Sequence, residues 1–367
     1  MKQQTKPISS IIITGGGTGG HLFPGIAMAE AILQNFPECT VVFIGTERQI
    51  DARALQGRPF TTVPLKSRGL KGMGLSAKLM TVLQLPASII SAMNIIHRYK
   101  PDLVFGVGGY VTGPVILAAR LLGIPCGIHE QNSVPGLANR LLGKIVNRVF
   151  ISLPGSETYF PARKTVFSGN PVRKELLAAA ATPRPADKEH PTLLVLGGSQ
   201  GAHRVNMLVV EALAGQQSKL PPGFTVLHQT GPHDEETVRN RYARLGIRAQ
   251  VAAFFDNMDH LYQQADLVVS RAGATTLAEL MVFQKPAILI PFPYAADDHQ
   301  EKNGRYLVEH GGARMFIEAE LSARTLAAEI LKLFNNTEER QKLAVNIGSL
   351  ARPHATKTIV EHCLDMI

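Results

Sequence analysis

Two glycine-rich turns, each following a short apolar run, stand about half a chain apart. The first runs Ile11-Ile12-Ile13-Thr14 into Gly15-Gly16-Gly17-Thr18-Gly19-Gly20-His21. The second runs Leu193-Leu194-Val195-Leu196 into Gly197-Gly198-Ser199-Gln200-Gly201-Ala202. A short apolar run stopped by glycine reads as a buried parallel strand, leading through a tight turn into a helix. Glycine lets the backbone approach a phosphate or sugar closely. The helix start then aims N–H groups and the positive end of its dipole at that ligand. One such turn constrains little. Two, each opening a half of the chain, imply an α/β protein with two Rossmann-like parallel-sheet domains facing a cleft.

The rest of the chain keeps the same rhythm. Strand-like runs recur at Ile11–Thr14, Val41–Ile44, Leu103–Val107, Cys126–His129, Val149–Ser152, Leu193–Leu196, Thr225–Gln229, Gln250–Phe254, Leu267–Ser270 and Ala287–Ile290, with helical stretches between them. That alternation predicts parallel sheets covered on both faces. A boundary is expected near Val172, giving domains of residues 1–172 and 173–349. The last helix, within 350–367, is expected to cross back to the first domain. The length of 367 residues suits two cores of ordinary size.

Charge is unevenly placed. Up to Val172 there are 17 Lys and Arg against 7 Asp and Glu, a balance of +10; from Arg173 onward 21 against 22, a balance of −1. The first half therefore suits a phosphate-rich partner or an anionic membrane surface. Nucleic acid is not expected, since no compact basic helix or aromatic RNA-binding motif occurs. The three cysteines, Cys39, Cys126 and Cys363, lack metal or redox spacing and fit a reducing compartment. Met1–Ser10 lacks the apolar region of a secretory signal. The uncharged stretch Leu79–Ile96 contains Gln84, Pro86, Ser88, Ser91 and Asn94, too polar for a membrane span.

One segment breaks the plain alternation. Arg68-Gly69-Leu70-Lys71-Gly72-Met73-Gly74 is a basic loop leading into a helix expected over Ser76–Arg98. Most of its apolar stripe suits a core. Leu75, Leu79 and Met80, however, gather beside Arg68, Lys71 and Lys78, a pattern suited to peripheral attachment to anionic headgroups.

Several further polar loops fall where strand C-termini should open onto a ligand. These are Gly106–Pro114, with Gly108, Gly109 and Tyr110; His129-Glu130-Gln131-Asn132; Ser270–Thr276, running into a helix with Glu279; and Asp297–Asn303. The first glycine loop also fits G-x-G-x-x-G, and Glu47 is a loose match for the ribose acid of a dehydrogenase. That reading leaves the second glycine loop unexplained.

Taken together, Gly16–His21, Gly108–Tyr110, His129–Asn132, Gly169–Arg173, Gly197–Ala202, Arg271–Ala274 and His299–Asn303 resemble the MurG family of bacterial N-acetylglucosaminyltransferases, over nearly the whole chain. The resemblance implies a GT-B fold. It also implies an inverting transfer from UDP-GlcNAc to the 4-hydroxyl of undecaprenyl-linked lipid I, in peptidoglycan synthesis. It implies that Ser199 meets the donor phosphates, with Arg173 and Phe255 near the uracil. Ala274, Thr275 and Thr276 would start the helix beneath the diphosphate. Glu279 would take the ribose hydroxyls, and Gln300 and Asn303 the sugar. Thr18, Gly19, Gly20 and Asn132 would reach the donor from the first domain, while Gly108, Gly109, Tyr110 and His129 would serve the acceptor. The enzyme would work at the cytoplasmic face of the inner membrane, without a cofactor, and cell-wall synthesis proteins are admitted as partners. No Asp-x-Asp motif appears, so no dedicated metal site is expected.

A transfer of this kind needs a base for the acceptor hydroxyl. His21 is the first candidate, because a helix N-terminus disfavours imidazolium. Glu130 is the second. Three rivals remain open on sequence: a GT-B-fold 2-epimerase of UDP-GlcNAc, a dehydrogenase, and a non-catalytic membrane module.

Overall fold

The computed structural model describes residues 8–65, 75–182, 190–198 and 200–367. Ser199, Arg68 and Lys71 lie outside them, as do the side chains of Leu75, Lys78, Leu79 and Met80. The chain forms two compact units, Met1–Arg173 with Pro353–Ile367, and Lys174–Arg352.

The first unit carries seven strands: β1 (Ser10–Thr14), β2 (Thr40–Gly45), β3 (Thr61–Pro64), β4 (Leu103–Gly106), β5 (Cys126–Glu130), β6 (Arg148–Ile151) and β7 (Thr165–Phe167). They lie in the order β3-β2-β1-β4-β5-β6-β7, and every neighbouring pair is parallel. Alternate side chains of a strand point to opposite faces, and here both faces are covered. Ile11 and Ile13 pack with Leu22 and Ile26 of the helix Gly19–Asn35. Ile12, between them, packs on the other face with Ala92, Ile96, Val115 and Ile116. All three isoleucines are fully buried, each contributing roughly 1.5–3 kcal/mol. The helix Ala355–Leu364 belongs to this unit through Ile359, Val360 and Cys363, which join the Ile11 face of the core.

The second unit carries six strands: β8 (Thr192–Leu196), β9 (Thr225–Gln229), β10 (Arg248–Ala252), β11 (Leu267–Ser270), β12 (Ala287–Leu289) and β13 (Ala313–Met315). Their order is β10-β9-β8-β11-β12-β13, again all parallel. Leu193 and Val195 of β8 pack with Val205, Leu208 and Val209 of the helix His203–Leu213.

The ten strands expected from the sequence are all present. The three it missed, β3, β7 and β13, are edge strands of three or four residues. An edge strand covers less of the core, and Thr61-Thr62-Val63-Pro64 accordingly shows no buried run. Strand order reverses between β1 and β4 in one unit and between β8 and β11 in the other. Such reversals open a crevice beyond the strand C-termini.

Candidate active site

In the first unit, the loops after β1 and β4 nest into each other at the reversal point. Gly109 has φ 89°, and a Cβ there would lie 2.5 Å from the Gly16 carbonyl oxygen. Gly108 has φ 95°, and its Cβ would meet His21 Nδ1 at 2.6 Å. The imidazole therefore rests on the Gly108 backbone. Thr112 secures this turn by donating from its hydroxyl to the carbonyls of Gly108 (2.8 Å) and Thr14 (3.2 Å). Thr18, Gly19, Gly20 and His21 form the start of the helix Gly19–Asn35, whose N-cap Thr18 makes no side-chain cap bond.

The acid that serves the first glycine loop is Asp51. Its wholly buried carboxylate accepts from Gly17 N–H at 2.9 and 3.1 Å, from Thr46 N–H at 2.9 Å and from the Thr46 hydroxyl at 2.6 Å. Arg48 donates to the Gly17 carbonyl at 3.0 Å and lies 6.0 Å from the centre of the half-exposed Tyr110 ring. Glu47, the loose match for a dehydrogenase's ribose acid, follows β2; the carboxylate that bonds the loop comes from the next helix, Gln49–Leu55. Asp51 and Arg48 were missed because their partners lie more than thirty residues away.

Two sequence candidates turn out to be enclosed. Glu130 is 2% exposed; its carboxylate accepts from the Asn132 N–H (2.9 Å) and side chain (3.2 Å) and from Asn139 Nδ2 (2.8 Å). Burial pushes its carboxyl up against these bonds. Glu130 therefore ties its turn to the helix Leu137–Ile145, with its carboxylate committed to Asn132 and Asn139. His129 is fully buried, its Nε2 3.1 Å from the Gly169 carbonyl and 3.0 Å from the Ser152 hydroxyl. It is enclosed beneath the turn that follows β5. Arg173, expected near the uracil, lies with its guanidinium 4.5 Å from the centre of the Phe23 ring in this unit.

Second-unit candidates gather beyond β8, β9, β11 and β12. A Cβ on Gly201 (φ 80°) would meet the Thr230 carbonyl oxygen at 2.3 Å, so this glycine loop also nests against its neighbour. Ala274, Thr275 and Thr276 form the first turn of the helix Ala274–Val282, which has no side-chain cap. Glu279, in the next turn, is buried, and Tyr262 donates to its Oε2 at 2.8 Å. Arg271 ties this turn to the loop after β12, donating to the carbonyls of Ile290 (3.1 Å) and Pro291 (3.0 Å) and pairing with Glu318 at 2.6 Å. Gln300 accepts from Phe292 N–H at 3.0 Å. Asn303 is fully buried and donates to the Ala272 carbonyl at 3.3 Å. Phe255 is buried too, its N–H donating to Gln229 Oε1 at 3.2 Å. Asp297 and Asp298 both adopt φ 52°, a left-handed conformation aspartate tolerates better than most residues. They turn the loop into the helix His299–Glu309.

Each unit also buries a neutral histidine. Burial pushes His129 down to about 4 and His228 down to about 3. His228 lies 3.0 Å from both the Tyr242 hydroxyl and Asn206 Oδ1. The unfolded chain takes up these protons below about pH 6.5, the folded chain only well below that. The two stabilising contributions are thus complete above about pH 6.5 and are lost as pH falls through that value towards 4 and 3, on the order of 3 kcal/mol each. Urea midpoints should drop between about pH 7.5 and about pH 5. Equal midpoints would contradict this placement of the two rings.

Among the described residues, no group of three His, Cys, Asp or Glu could hold a metal ion, and no helix is long and apolar enough to cross a membrane.

Residues 11–151 match the glycosyltransferase family 28 N-terminal domain, and residues 192–358 the glycosyltransferase family 28 C-terminal domain. The UDP-N-acetylglucosamine–N-acetylmuramyl-(pentapeptide) pyrophosphoryl-undecaprenol N-acetylglucosamine transferase of Desulfotalea psychrophila is 50% identical over 97% of this chain and 96% of its own. The crystal structure of Acinetobacter baumannii MurG superimposes with a TM-score of 0.76 at 30% identity, covering 98% of this chain and all of that one. A UDP-N-acetylglucosamine 2-epimerase shares the fold at a TM-score of 0.68, with 14% identity over 97% of this chain and 96% of that one. With both family 28 domains in place and half its residues identical to a full-length relative, this chain of two Rossmann-like GT-B units belongs to the MurG family of glycosyltransferases.

Proposed function

We propose that the chain transfers N-acetylglucosamine from UDP-GlcNAc to the 4-hydroxyl of undecaprenyl-pyrophosphoryl-N-acetylmuramyl-pentapeptide, inverting the anomeric centre and releasing UDP. The observation that carries this reading is the 50% identity, over nearly the full length of both chains, to a transferase of that name. The epimerase likeness is one of fold alone.

The chemistry divides between the units. In the second, the start of the helix Ala274–Val282 offers N–H groups and its positive end to a diphosphate. That potential stabilises charge developing on departing UDP. Tyr262 holds one oxygen of Glu279, and the carboxylate takes the ribose hydroxyls. Gln300 has its amide oxygen committed to Phe292, leaving its –NH2 to donate to a sugar hydroxyl. Ser199 keeps the phosphate role that the resemblance implies. In the first unit, His21 takes the acceptor proton as the hydroxyl attacks the anomeric carbon. Release of UDP should require the lipid acceptor. UDP release at the same rate without acceptor, or conversion of the donor to its 2-epimer, would refute the transferase reading.

The acceptor's polyprenyl tail stays in a bilayer, so the first unit must meet it there. The face expected from sequence lies outside the described side chains, but a second one is exposed. Leu137, Leu141 and Ile145 are 68%, 56% and 36% exposed, and their four-residue spacing aligns them on the helix Leu137–Ile145. Leu121, ending the helix Thr112–Leu121, is 70% exposed. Arg120 and Lys144 are exposed beside these leucines in sequence, each worth about 1 kcal/mol near an anionic surface. A Leu137→Ser, Leu141→Ser, Lys144→Glu variant should lose co-sedimentation with anionic liposomes yet act normally on a short-chain soluble acceptor. Wild-type co-sedimentation by that variant would exclude this face.

A further inference from the structure

Gln131 follows β5 and is almost wholly buried between two histidines and a backbone carbonyl. Its contacts admit one assignment of protons. The Val107 carbonyl, 2.8 Å away, can only accept, so the –NH2 of the amide must face it. Its Oε1 is then the atom 3.2 Å from His21 Nδ1. An amide oxygen has no proton to give, so His21 Nδ1 must carry one. The remaining N–H of Gln131 meets His129 Nδ1 at 3.1 Å, which must therefore accept. That leaves the proton of His129 on Nε2, where it donates to the Gly169 carbonyl at 3.1 Å. Turning the amide over would press its oxygen against the Val107 carbonyl oxygen, leaving two buried acceptors facing each other at a cost typical of unsatisfied buried groups.

We infer that Gln131 sets the tautomer of His21, holding the imidazole as Nδ1–H so that the basic lone pair lies on Nε2. A neutral imidazole in water favours the opposite tautomer, Nε2–H, whose Nε2 could not accept a proton. Gln131 is thus a positioning residue, acting through His21. Gly108 supports it by leaving room for the ring, where any side chain would meet Nδ1. His129 supports it from the other side as a neutral acceptor, since a proton on its Nδ1 would oppose the Gln131 N–H. The consequence for turnover rests on His21 being the base; the tautomer does not.

The test is the long-range 1H–15N spectrum of protein labelled in its histidines, at a pH where His21 is neutral. The His21 signals are identified by their loss in His21→Ala. Wild type should show a protonated Nδ1 and a bare Nε2 without any substrate present. Gln131→Met, of similar length but with only a weakly accepting thioether in place of the amide oxygen, should shift His21 towards Nε2–H. It should also lower kcat by about tenfold or more while leaving KM for UDP-GlcNAc unchanged. A bare Nδ1 in wild type overturns the inference, whether or not the variant folds. So does a Gln131→Met protein that retains Nδ1–H. Full turnover by His21→Ala, with Nδ1–H intact in wild type, would remove the base assignment and leave the role of Gln131 standing.

Discussion

Replacing His21 with alanine should lower kcat by about 10²–10⁴-fold, the usual cost of losing a general base, with little change in the Kd for UDP-GlcNAc. The prediction rests on position. His21 opens a helix at the β1–β4 reversal, rests on Gly108 and is held through Nδ1 by Gln131. Glu130, the rival on sequence, has its carboxylate committed to Asn132 and Asn139. The donor contacts proposed for the second unit are untouched by the change, so affinity and turnover should separate. Single-turnover rates with saturating donor, set beside calorimetric Kd values, make the comparison. A fall of less than about tenfold in rate would reduce His21 to a structural residue.

Glu279→Ala should act in the opposite way, weakening the donor while leaving the fold intact. A carboxylate holding two ribose hydroxyls makes charge-assisted hydrogen bonds worth about 1.5–3 kcal/mol, or roughly ten- to 150-fold in Kd. Tyr262 donates to one carboxylate oxygen, so part of the loss could arise from a released carboxylate and part from the missing charge. Tyr262→Phe separates them, since it frees the carboxylate without removing it, and its effect should be the smaller. An unchanged donor Kd in Glu279→Ala would sink the ribose assignment.

The sequence made the central sheet legible because burial on both faces leaves no polar position to break the run. Ile11-Ile12-Ile13 and Leu193-Leu194-Val195-Leu196 are such runs. Edge strands such as Thr61–Pro64 lack that constraint and carry no comparable signal. The glycine loops were legible as places of close approach, but not what approaches. At Gly108 it is an imidazole, at Gly109 the backbone of the other loop, and at Gly16 the Asp51 carboxylate. The motif His129–Asn132 was legible as polar residues ending a strand. Its division of labour was not, because an exposed and a buried polar residue look alike in sequence. His129 and Glu130 lie inside, and Gln131, unassigned on sequence, bonds to His21 across 110 residues.

The most direct test of the account is the product itself. Purified protein should be incubated with UDP-GlcNAc labelled in the sugar and a soluble lipid I analogue, and the product isolated for NMR. The expected products are stoichiometric UDP and a new disaccharide in which GlcNAc is joined through a β linkage to the 4-hydroxyl of the N-acetylmuramyl residue. An α linkage, attachment at another hydroxyl, or no labelled sugar on the acceptor while the donor is consumed would contradict it.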